Sequence, residues 1–315
     1  MTRVVAVTGG TGFLGRAVAA ALARKGWQVR LLVRRSAAHW PCPDHELELV
    51  FGDLTDADAL RRLVRGADAV VHLAGLIKAR SRAEFMAVNR DGSARLAAAV
   101  AAEAPAARLV HVSSLAAREP QLSDYAASKR AGEDAVRDGS GGASWVVVRP
   151  PAIYGPRDRE TLAVFRWARS PVLPLFHGPD SRVCLIHVED AAEAIAALCA
   201  DGPSGCVFEL SDGRRDGYSW RAILDEAVRA VGGGAPRIVR VPPPLVRLAG
   251  VVAGFAGRLA GRASILTPGK VREMLHPDWS SAAERQPPPA VWAPRIALPD
   301  GFADTVRWYR NARWL

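Results

Sequence analysis

The sequence is poor in several features that would point to particular classes of protein. Only four of its 42 basic residues are lysines, so the net charge of +10 reflects arginine usage along the chain and does not indicate a nucleic-acid partner. Its four cysteines lack the spacing of a metal site, and no metal is expected. No uncharged apolar run reaches the ~18 residues of a membrane-spanning helix.

A signal peptide is not expected either, because strand-like sequence begins at Arg3 and leaves no room for one. A cytoplasmic protein with reduced thiols is therefore predicted. The length of 315 residues suggests two domains, and 49% hydrophobic residues are typical of a folded globular chain.

Short apolar runs alternate with helical patterns through the first half of the chain. The apolar runs lie at residues 4–7, 29–33, 47–51, 69–73, 109–112 and 145–148, with helical patterns at 16–25, 56–65 and 89–103. Such a series is typical of a parallel sheet covered on both faces. We therefore predict an α/β fold, with a doubly wound parallel (Rossmann) sheet in a dinucleotide-binding domain at residues 1–150.

The pattern changes after residue 150, where prolines and aromatic residues become frequent. Strand-like runs and one helix lie at 183–211, and further helices follow around 218–231 and 302–310. We predict that residues 151–315 form a smaller, mainly substrate-binding lobe and that the chain returns to the main sheet around 183–211.

Three glycines follow the first predicted strand and open the first helix. Gly9, Gly12 and Gly15 form G-x-x-G-x-x-G. Glycine permits a pyrophosphate to approach the backbone at a helix N-terminus, where free N–H groups and the helix dipole favour negative charge. This position in a strand–loop–helix unit predicts dinucleotide binding.

The residues after the second predicted strand bear on the choice of cofactor. An acid about 20 residues beyond the glycine loop usually binds the ribose of NAD, but no acid lies between Gly9 and Asp44. Arg34 and Arg35 stand there instead and could hold a 2′-phosphate. NADP(H) is therefore favoured, and NAD(H) stays possible because arginine is abundant throughout.

Several short motifs follow one another over residues 1 to about 200. They are TGGTGFLG at 8–15, GDL at 52–54, HLAG at 72–75, VN at 88–89, VSS at 112–114, YAASK at 125–129, RP at 149–150 and IYGP at 153–156. Together they resemble the extended short-chain dehydrogenase/reductase family, which includes the NAD-dependent epimerase/dehydratase-like proteins. The resemblance implies catalytic roles for Ser114, Tyr125 and Lys129. It implies cofactor contacts, beyond those of Tyr125 and Lys129, for Gly9, Thr11, Gly12, Phe13, Leu14, Gly15, Asp53, Leu54, Leu73, Ala74, Gly75, Asn89, Pro150 and Ile153, in addition to Arg34 and Arg35, which are predicted from their position after the second strand.

The chemistry of these residue types agrees with the implied roles. Tyr125 and Lys129 are four residues apart and share one face of a helix. A neighbouring ammonium stabilises a phenolate and so lowers the pKa of a phenol, which makes it a better proton donor and acceptor. A serine hydroxyl can hydrogen-bond the substrate oxygen, and Ser114 matches that position better than Ser113.

The active-site loop is an atypical feature. Ser114 and Tyr125 are only 11 residues apart, whereas many sugar-nucleotide enzymes of the family have a longer, polar loop. Leu115 and Ala116 supply no acidic pair, which argues against dehydration. We predict an NADP(H)-dependent oxidoreductase that interconverts a ketone and a secondary alcohol on an apolar substrate, such as a keto-lipid or a sterol-like molecule. The alternatives are a nucleotide-sugar epimerase with tightly bound NAD and a non-catalytic, cofactor-binding assembly subunit.

One basic segment, residues 245–262, is not explained by these motifs. On a helix, Leu245, Leu248, Val252, Phe255 and Leu259 fall on one stripe, with arginines elsewhere. Such a pattern is typical of a helix that lies on an anionic membrane or covers an apolar pocket, and equally of a core-facing helix. A peripheral position on the inner membrane face is therefore one prediction.

Overall fold

The computed structural model describes residues 2–34, 47–176, 178, 180–259 and 267–315. The described strands are β1 (Val4–Thr8), β2 (Gln28–Val33), β3 (Glu48–Phe51), β4 (Ala69–His72), β5 (Arg108–Val112), β6 (Trp145–Arg149), β7 (Ala152–Tyr154), β8 (Val172–Leu175), β9 (Arg182–Val183), β10 (Leu185–His187), β11 (Cys206–Glu209), β12 (Arg237–Arg240) and β13 (Asp278–Trp279). The described helices are α1 (Phe13–Arg24), α2 (Ala57–Val64), α3 (Arg82–Asn89), α4 (Asp91–Glu103), α5 (Asp124–Gly139), α6 (Leu162–Trp167), α7 (Val188–Ala200), α8 (Trp220–Val231), α9 (Pro243–Leu259), α10 (Pro268–Leu275) and α11 (Leu298–Asn311).

The chain divides into two compact units. Unit 1 comprises Met1–Pro150, Ala191–Glu209 and Pro287–Ala293, and unit 2 comprises Pro151–Asp190, Leu210–Gln286 and Pro294–Leu315. Unit 1 therefore includes two segments that lie far beyond residue 150 in the sequence.

Unit 1 is built on a seven-stranded parallel sheet in the order β3-β2-β1-β4-β5-β6-β11. Its central strands are almost entirely apolar, and Val5, Val7, Val70 and Leu109 have no exposed surface. Burial on both faces is what a parallel sheet with helical crossovers requires. The strand order reverses between β1 and β4, which places a crevice at the carboxyl ends of these strands. The predicted α/β, doubly wound parallel sheet is confirmed.

Unit 2 contains three two-stranded parallel sheets, β10-β7, β12-β8 and β13-β9. Its core includes an edge-to-face aromatic cluster: Phe302 lies 5.0 Å from Tyr154 and 4.9 Å from Phe165, between ring centroids. The sequence predicts that the chain returns to the main sheet around residues 183–211, and in the structure a shorter part of this range does so. Only β11 joins that sheet, beside β6, whereas β10 pairs with β7.

Helix α9 packs against α10 through its small residues. A Cβ added at Gly250 would lie 2.5 Å from Val271 Cγ2, and one at Gly254 would lie 3.2 Å from Pro268 Cδ. Val246 on the same side is buried, whereas Leu245 and Leu248 are exposed. The core-facing alternative for this stripe is therefore wrong at Leu245, Leu248 and Val252, which are all exposed, and residues 260–262 lie outside the described ranges. No helix in the described ranges is long and apolar enough to cross a membrane.

Candidate active site

The glycine loop connects β1 to α1 in a conformation that only small residues permit. Gly9 has φ +73°, and a Cβ there would lie 2.5 Å from the backbone nitrogen of Ala74. A Cβ at Gly15 would lie 2.1 Å from the Gly9 carbonyl oxygen. The glycine loop can lie this close to the residue after β4 and to the first turn of α1 because Gly9 and Gly15 have no side chains.

The N-terminus of α1 fits a pyrophosphate. Gly12 is its N-cap residue, no side chain caps it, and its first turn contains no acidic residue. The first N–H groups of a helix lack partners within the helix, so here they can donate to an anion. Thr11 and Gly12 are exposed, Phe13 and Leu14 are half-buried, and Arg16 Nε donates to the Thr11 carbonyl oxygen at 3.0 Å. The loop is therefore suited to phosphate without any further side chain.

Two predicted contacts with the adenosine part of a cofactor lie after β2 and β3. Arg34 is exposed directly after β2, and Asp53 is exposed two residues after β3. Hydrogen bonds from the side chain and then the backbone of Thr55 lower the pKa of Asp53, and the charge of Arg34 adds a smaller effect. Leu54 packs inside unit 1 against Gly92, where it can support the loop from below. Arg35 lies outside the described residues.

A buried hydrogen-bonded chain joins β1, β4 and the helices behind them. Ser93 Oγ donates to the Asn89 carbonyl oxygen at 2.7 Å, so it accepts from His72 Nε2 at 3.0 Å. His72 Nδ1 then accepts from Thr8 Oγ1 at 2.7 Å, and that oxygen accepts from the Ala74 N–H at 3.2 Å. Burial, followed by the charge of a nearby lysine, lowers the pKa of His72 to about 3. His72 is therefore a neutral structural group that holds the strand end.

The Asn89 side chain joins the loop after β4 to α5. Its Oδ1 accepts from the Leu76 N–H at 2.7 Å, and its Nδ2 donates to Leu76 O at 3.0 Å and to Ser128 Oγ at 2.8 Å. Ser128 Oγ in turn donates to the Tyr125 carbonyl oxygen at 2.7 Å. Asn89 thus positions both the loop that includes Leu73, Ala74 and Gly75 and the first turn of α5.

Lys129 lies at the point where this loop, β5 and α5 meet. Its Nζ donates to the Val112 carbonyl oxygen at 2.8 Å, and a Cβ added at Gly75 would lie 3.7 Å from Nζ. Burial lowers the pKa of Lys129 to about 8, while the carboxylate of Glu133 raises it. A lysine with this pKa is mostly protonated near neutral pH, so it presents a positive charge one turn from Tyr125.

Tyr125 itself is half-buried in the first turn of α5. Ser123 caps this helix by accepting from the Ala126 N–H at 2.9 Å. The Tyr125 ring lies 6.0 Å from that of Phe85, measured between centroids. The cap and the ring contact restrain the phenol without burying it completely, so a substrate can reach it.

The two serines after β5 differ in their surroundings. Ser114 is half-buried, and its Oγ accepts from the Ala116 N–H at 3.2 Å, which leaves its hydroxyl hydrogen free to donate to a substrate oxygen. Ser113 is buried and donates to Glu133 Oε1 at 2.5 Å. The structure thus assigns the accessible hydroxyl to Ser114 and a supporting contact to Ser113.

A buried ionic cluster behind the site is not evident from the motifs. Arg149 donates to both carboxylate oxygens of Glu133, with Nε–Oε1 at 2.8 Å and Nη2–Oε2 at 2.7 Å. Arg149 Nη1 also lies 3.6 Å from Glu209 Oε1, and Arg118 Nη1 lies 4.0 Å from Glu209 Oε2. Glu133 comes four residues after Lys129 on the same face of α5. This spacing is the one feature of the sequence from which a contact of Glu133 with the site could have been predicted.

The remaining predicted residues, Pro150 and Ile153, lie on either side of the point in the sequence where unit 1 ends and unit 2 begins. Pro150 is buried at the end of β6, and its carbonyl oxygen accepts from the Leu115 N–H at 2.8 Å. Ile153 is half-buried in β7 of unit 2. No group of three or more His, Cys, Asp or Glu side chains that could hold a metal occurs among the described residues.

Comparison with known proteins identifies the kind of enzyme to which this site belongs. The model of the NAD dependent epimerase/dehydratase family matches residues 5–210, well over half of the chain. The chain belongs to this family. Its glycine loop, its parallel sheet and the Tyr125–Lys129 pair all lie within the matched residues. The resemblance inferred from the motifs is thereby confirmed.

Two relatives within the curated proteins are named as reductases. The ceramide reductase of Caulobacter vibrioides is 51% identical over 314 residues, which cover 99% of this chain and 96% of that protein. The 4-hydroxy-2-methyl-3-oxo-4-farnesyl-3,4-dihydroquinoline-1-oxide ketoreductase of Stigmatella aurantiaca is 32% identical over 234 residues, 66% of this chain and 67% of that protein.

Solved structures agree on the fold. The dTDP-glucose 4,6-dehydratase of Bacillus anthracis in complex with NAD superposes with a TM-score of 0.72 and 17% identity over 99% of this chain and 98% of that chain. The family model and the reductase relatives, rather than this fold match, show that the chain is an NAD(P)-dependent enzyme of the short-chain dehydrogenase/reductase type whose cofactor is a nicotinamide dinucleotide.

Proposed function

We propose that the protein is an NADPH-dependent reductase that converts a ketone on a long-chain lipid to a secondary alcohol. The observation that carries this proposal is the placement of Lys129. Its ammonium is held at the end of β5, beside Gly75 and one helical turn from Tyr125. Ser114 follows β5 two residues later with its hydroxyl accessible.

The three side chains divide the work of moving one proton. Ser114 donates a hydrogen bond to the ketone oxygen and orients it. Tyr125 gives its phenolic proton to that oxygen, and Lys129 stabilises the phenolate that remains. When bound, NADPH supplies the hydride that the carbonyl carbon receives, and it is oxidised to NADP⁺. Gly9, Gly12 and Gly15 would hold its pyrophosphate.

The preference for NADPH rests on Arg34. This exposed guanidinium follows β2 and lies near Asp53, at the position where an acid usually binds the ribose of NAD. A guanidinium there favours a 2′-phosphate, because it can form charge-assisted hydrogen bonds with it. NAD(H) is the alternative cofactor.

The relatives and the short active-site loop support a lipid substrate. One relative is named for ceramide and the other for a substrate with a farnesyl chain. A ceramide contains a secondary alcohol on a long-chain base, and the corresponding ketone is the substrate class that we propose. Only ten residues separate Ser114 from Tyr125, and before α5 begins their one regular element is the short 3-10 turn Leu115–Arg118, so the longer loop that many sugar-nucleotide enzymes of the family have is missing. Unit 2 would supply most of the lipid-binding surface.

The proposal is tested by following NADPH oxidation with long-chain keto-lipids, steroid ketones and UDP-sugars. We expect turnover with the keto-lipids. Tyr125→Phe should reduce the rate by about 10²–10⁴-fold with NADPH affinity retained. Turnover with UDP-sugars alone, with NAD that survives purification, would establish the epimerase alternative. Full activity of Tyr125→Phe would contradict the mechanism, and a lack of turnover with any ketone would favour a non-catalytic subunit.

A long-chain substrate resides in a membrane, so the enzyme has to meet one. We therefore propose that the protein works as a peripheral protein at the inner membrane face, through the predicted segment 245–262.

A further inference from the structure

Helix α9 presents an apolar face that no described residue of its unit covers. Leu245, Leu248, Val251 and Val252 recur at helical spacing, and each exposes between 54% and 60% of its surface. The opposite side of the helix is packed through Gly250 and its neighbours against α10. Leu245, Leu248, Val251 and Val252 therefore point outward, the reverse of the apolar stripe of an ordinary surface helix.

Two further exposed apolar side chains lie on the ribbon formed by β8 and β12, of which β12 is the element that precedes α9 in the chain. Val172 and Val239 are exposed there, and Arg237 is paired in register with Val172. An apolar patch on the surface of a protein is typical of an interaction site. Isolated exposed side chains would need no explanation, but four on one face of a helix do.

The charge of this region selects the partner. No acidic residue occurs between Glu226 and Glu273, whereas eight basic residues do. Arg237, Arg240 and Arg247 are exposed, and none forms an ion pair within the described part of the chain. A surface with apolar side chains flanked by unpaired arginines is complementary to anionic headgroups above an acyl layer.

A small cavity opens at the start of the same helix. It has a volume of about 200 Å³ and is lined by Leu175, Phe176, Gly178, Arg240, Val241, Pro242 and Pro243. Apart from Arg240, the residues that line it have apolar side chains or none. Such a lining suits a short length of acyl chain with an anionic group beside it, and the cavity is too small for a whole lipid.

We propose that the face formed by Leu245, Leu248, Val251 and Val252, with Arg237, Arg240 and Arg247 at its margin, docks unit 2 onto an anionic lipid bilayer. The apolar side chains enter the boundary between headgroups and acyl chains, and the arginines pair with lipid phosphates. The assignment rests on the exposed surface of unit 2 and not on the identity of the substrate.

The full-length protein is tested by co-sedimentation with phosphatidylglycerol–phosphatidylcholine vesicles and with vesicles of phosphatidylcholine alone. We expect binding to the first and much weaker binding to the second, and a loss of binding as salt is raised. Leu248→Asp/Val252→Asp should weaken binding by about tenfold or more, and Arg247→Gln by about fivefold. Phe51→Asp, at a residue 54% exposed on β3 of unit 1, is the matched control and should bind like the wild type.

Equal indifference of the wild type to both kinds of vesicle would overturn the proposal. So would a concentration-dependent dimer, seen by analytical ultracentrifugation, that the double substitution abolishes while vesicles have no effect. These readouts need no substrate, so they are independent of the proposed reductase activity. Turnover of a water-soluble short-chain ketone should be unchanged in the double variant, because these residues lie outside the candidate active site.

Discussion

At the scale of single residues, the proposed reaction depends on the charge of Lys129. Burial places its pKa at about 8, so the ammonium is present at neutral pH and is lost as the pH rises through that value. A phenolate on Tyr125 then has no cation to stabilise it. We therefore expect the rate of ketone reduction to fall above about pH 8, with the pH dependence of a single deprotonation, that of Lys129.

Glu133 should set where this loss occurs. Its carboxylate opposes the effect of burial and raises the pKa of Lys129, so Glu133→Gln should lower that pKa further. The alkaline limb of the kcat/KM profile should accordingly move to lower pH. Asp134→Asn, at the next residue on the surface of α5, is the control and should leave the profile in place.

Glu133→Gln should also destabilise the protein. This loss of stability must be separated from the shift of the pH profile. Glu133→Gln removes the bidentate partner of the buried Arg149, a change that typically costs about 3–5 kcal/mol in the free energy of unfolding. The pH profile is therefore measured well below the melting temperature of the variant. A variant that is less stable but has an unshifted profile would show that Glu133 is purely structural.

Arg34 is the residue from which cofactor preference is argued. Arg34→Ala should raise the KM for NADPH by about 10–100-fold, since a charge-assisted contact with phosphate is lost. The KM for NADH should change little. Arg24→Ala, which removes an exposed arginine at the end of α1, is the matched control. An unchanged ratio of the two KM values would assign the preference to other residues.

At the scale of elements, the turn from β1 into α1 depends on two glycines for different reasons. Gly15→Ala would place a methyl group 2.1 Å from the Gly9 carbonyl oxygen, so the turn must open. We expect a lower melting temperature and weaker cofactor binding. Gly12→Ala would meet the same oxygen at 3.3 Å, which a small shift relieves. It should therefore retain the melting temperature while reducing cofactor affinity, because the added methyl group lies where phosphate approaches. Similar melting temperatures for the two variants would contradict this.

The strand–helix alternation of unit 1 could be predicted because each central strand is an almost entirely apolar run. The pairing of β10 with β7 could not, since strands of three residues have no usable periodicity. In α9 the stripe of large apolar residues is visible in the sequence, but the sequence does not show whether the stripe faces the core or the solvent. The small residues Gly250 and Gly254 allow α10 to approach closely, and Leu245, Leu248 and Val252 are turned outward as a result.

The candidate site shows the same limit. The glycine loop is a local pattern of sequence, and the roles of Ser114, Tyr125 and Lys129 are predicted from the resemblance of short motifs to the family. The contact between Arg149 and Glu209 joins residues 60 positions apart, and only the adjacency of β6 and β11 brings them together. The role of Asn89 likewise depends on atoms of Leu76 and Ser128, which come from two other elements.

At the scale of the whole molecule, two buried histidines of unit 1 should make stability depend on acid. Burial lowers the pKa of His72 to about 3 and that of His111 well below its usual value. An unfolded chain binds these protons below about pH 6.5, and the native protein does not. The free energy of unfolding should therefore fall as the pH drops through 6.5, by up to about 1.4 kcal/mol per pH unit for each histidine.

His111→Leu tests this dependence. Neither ring nitrogen of His111 has a hydrogen-bond partner among the described residues, so at neutral pH the substitution should alter the free energy of unfolding by no more than about 1 kcal/mol. Below about pH 6.5 the free energy of unfolding of the variant should fall less steeply with pH than that of the wild type. The difference in slope corresponds to one proton fewer taken up on unfolding. Urea unfolding across this pH range measures both slopes, and parallel curves would contradict the prediction.

The return of β11 to the sheet of unit 1 also has a consequence for synthesis on the ribosome. Arg149 is made 60 residues before Glu209, a delay of roughly 3–12 s at ~5–20 residues per second. During that interval β6 is an open sheet edge, and Glu133 is the one carboxylate of the buried cluster available to Arg149. The nucleotide-binding unit therefore completes its sheet only after the first part of unit 2 has emerged from the ribosome.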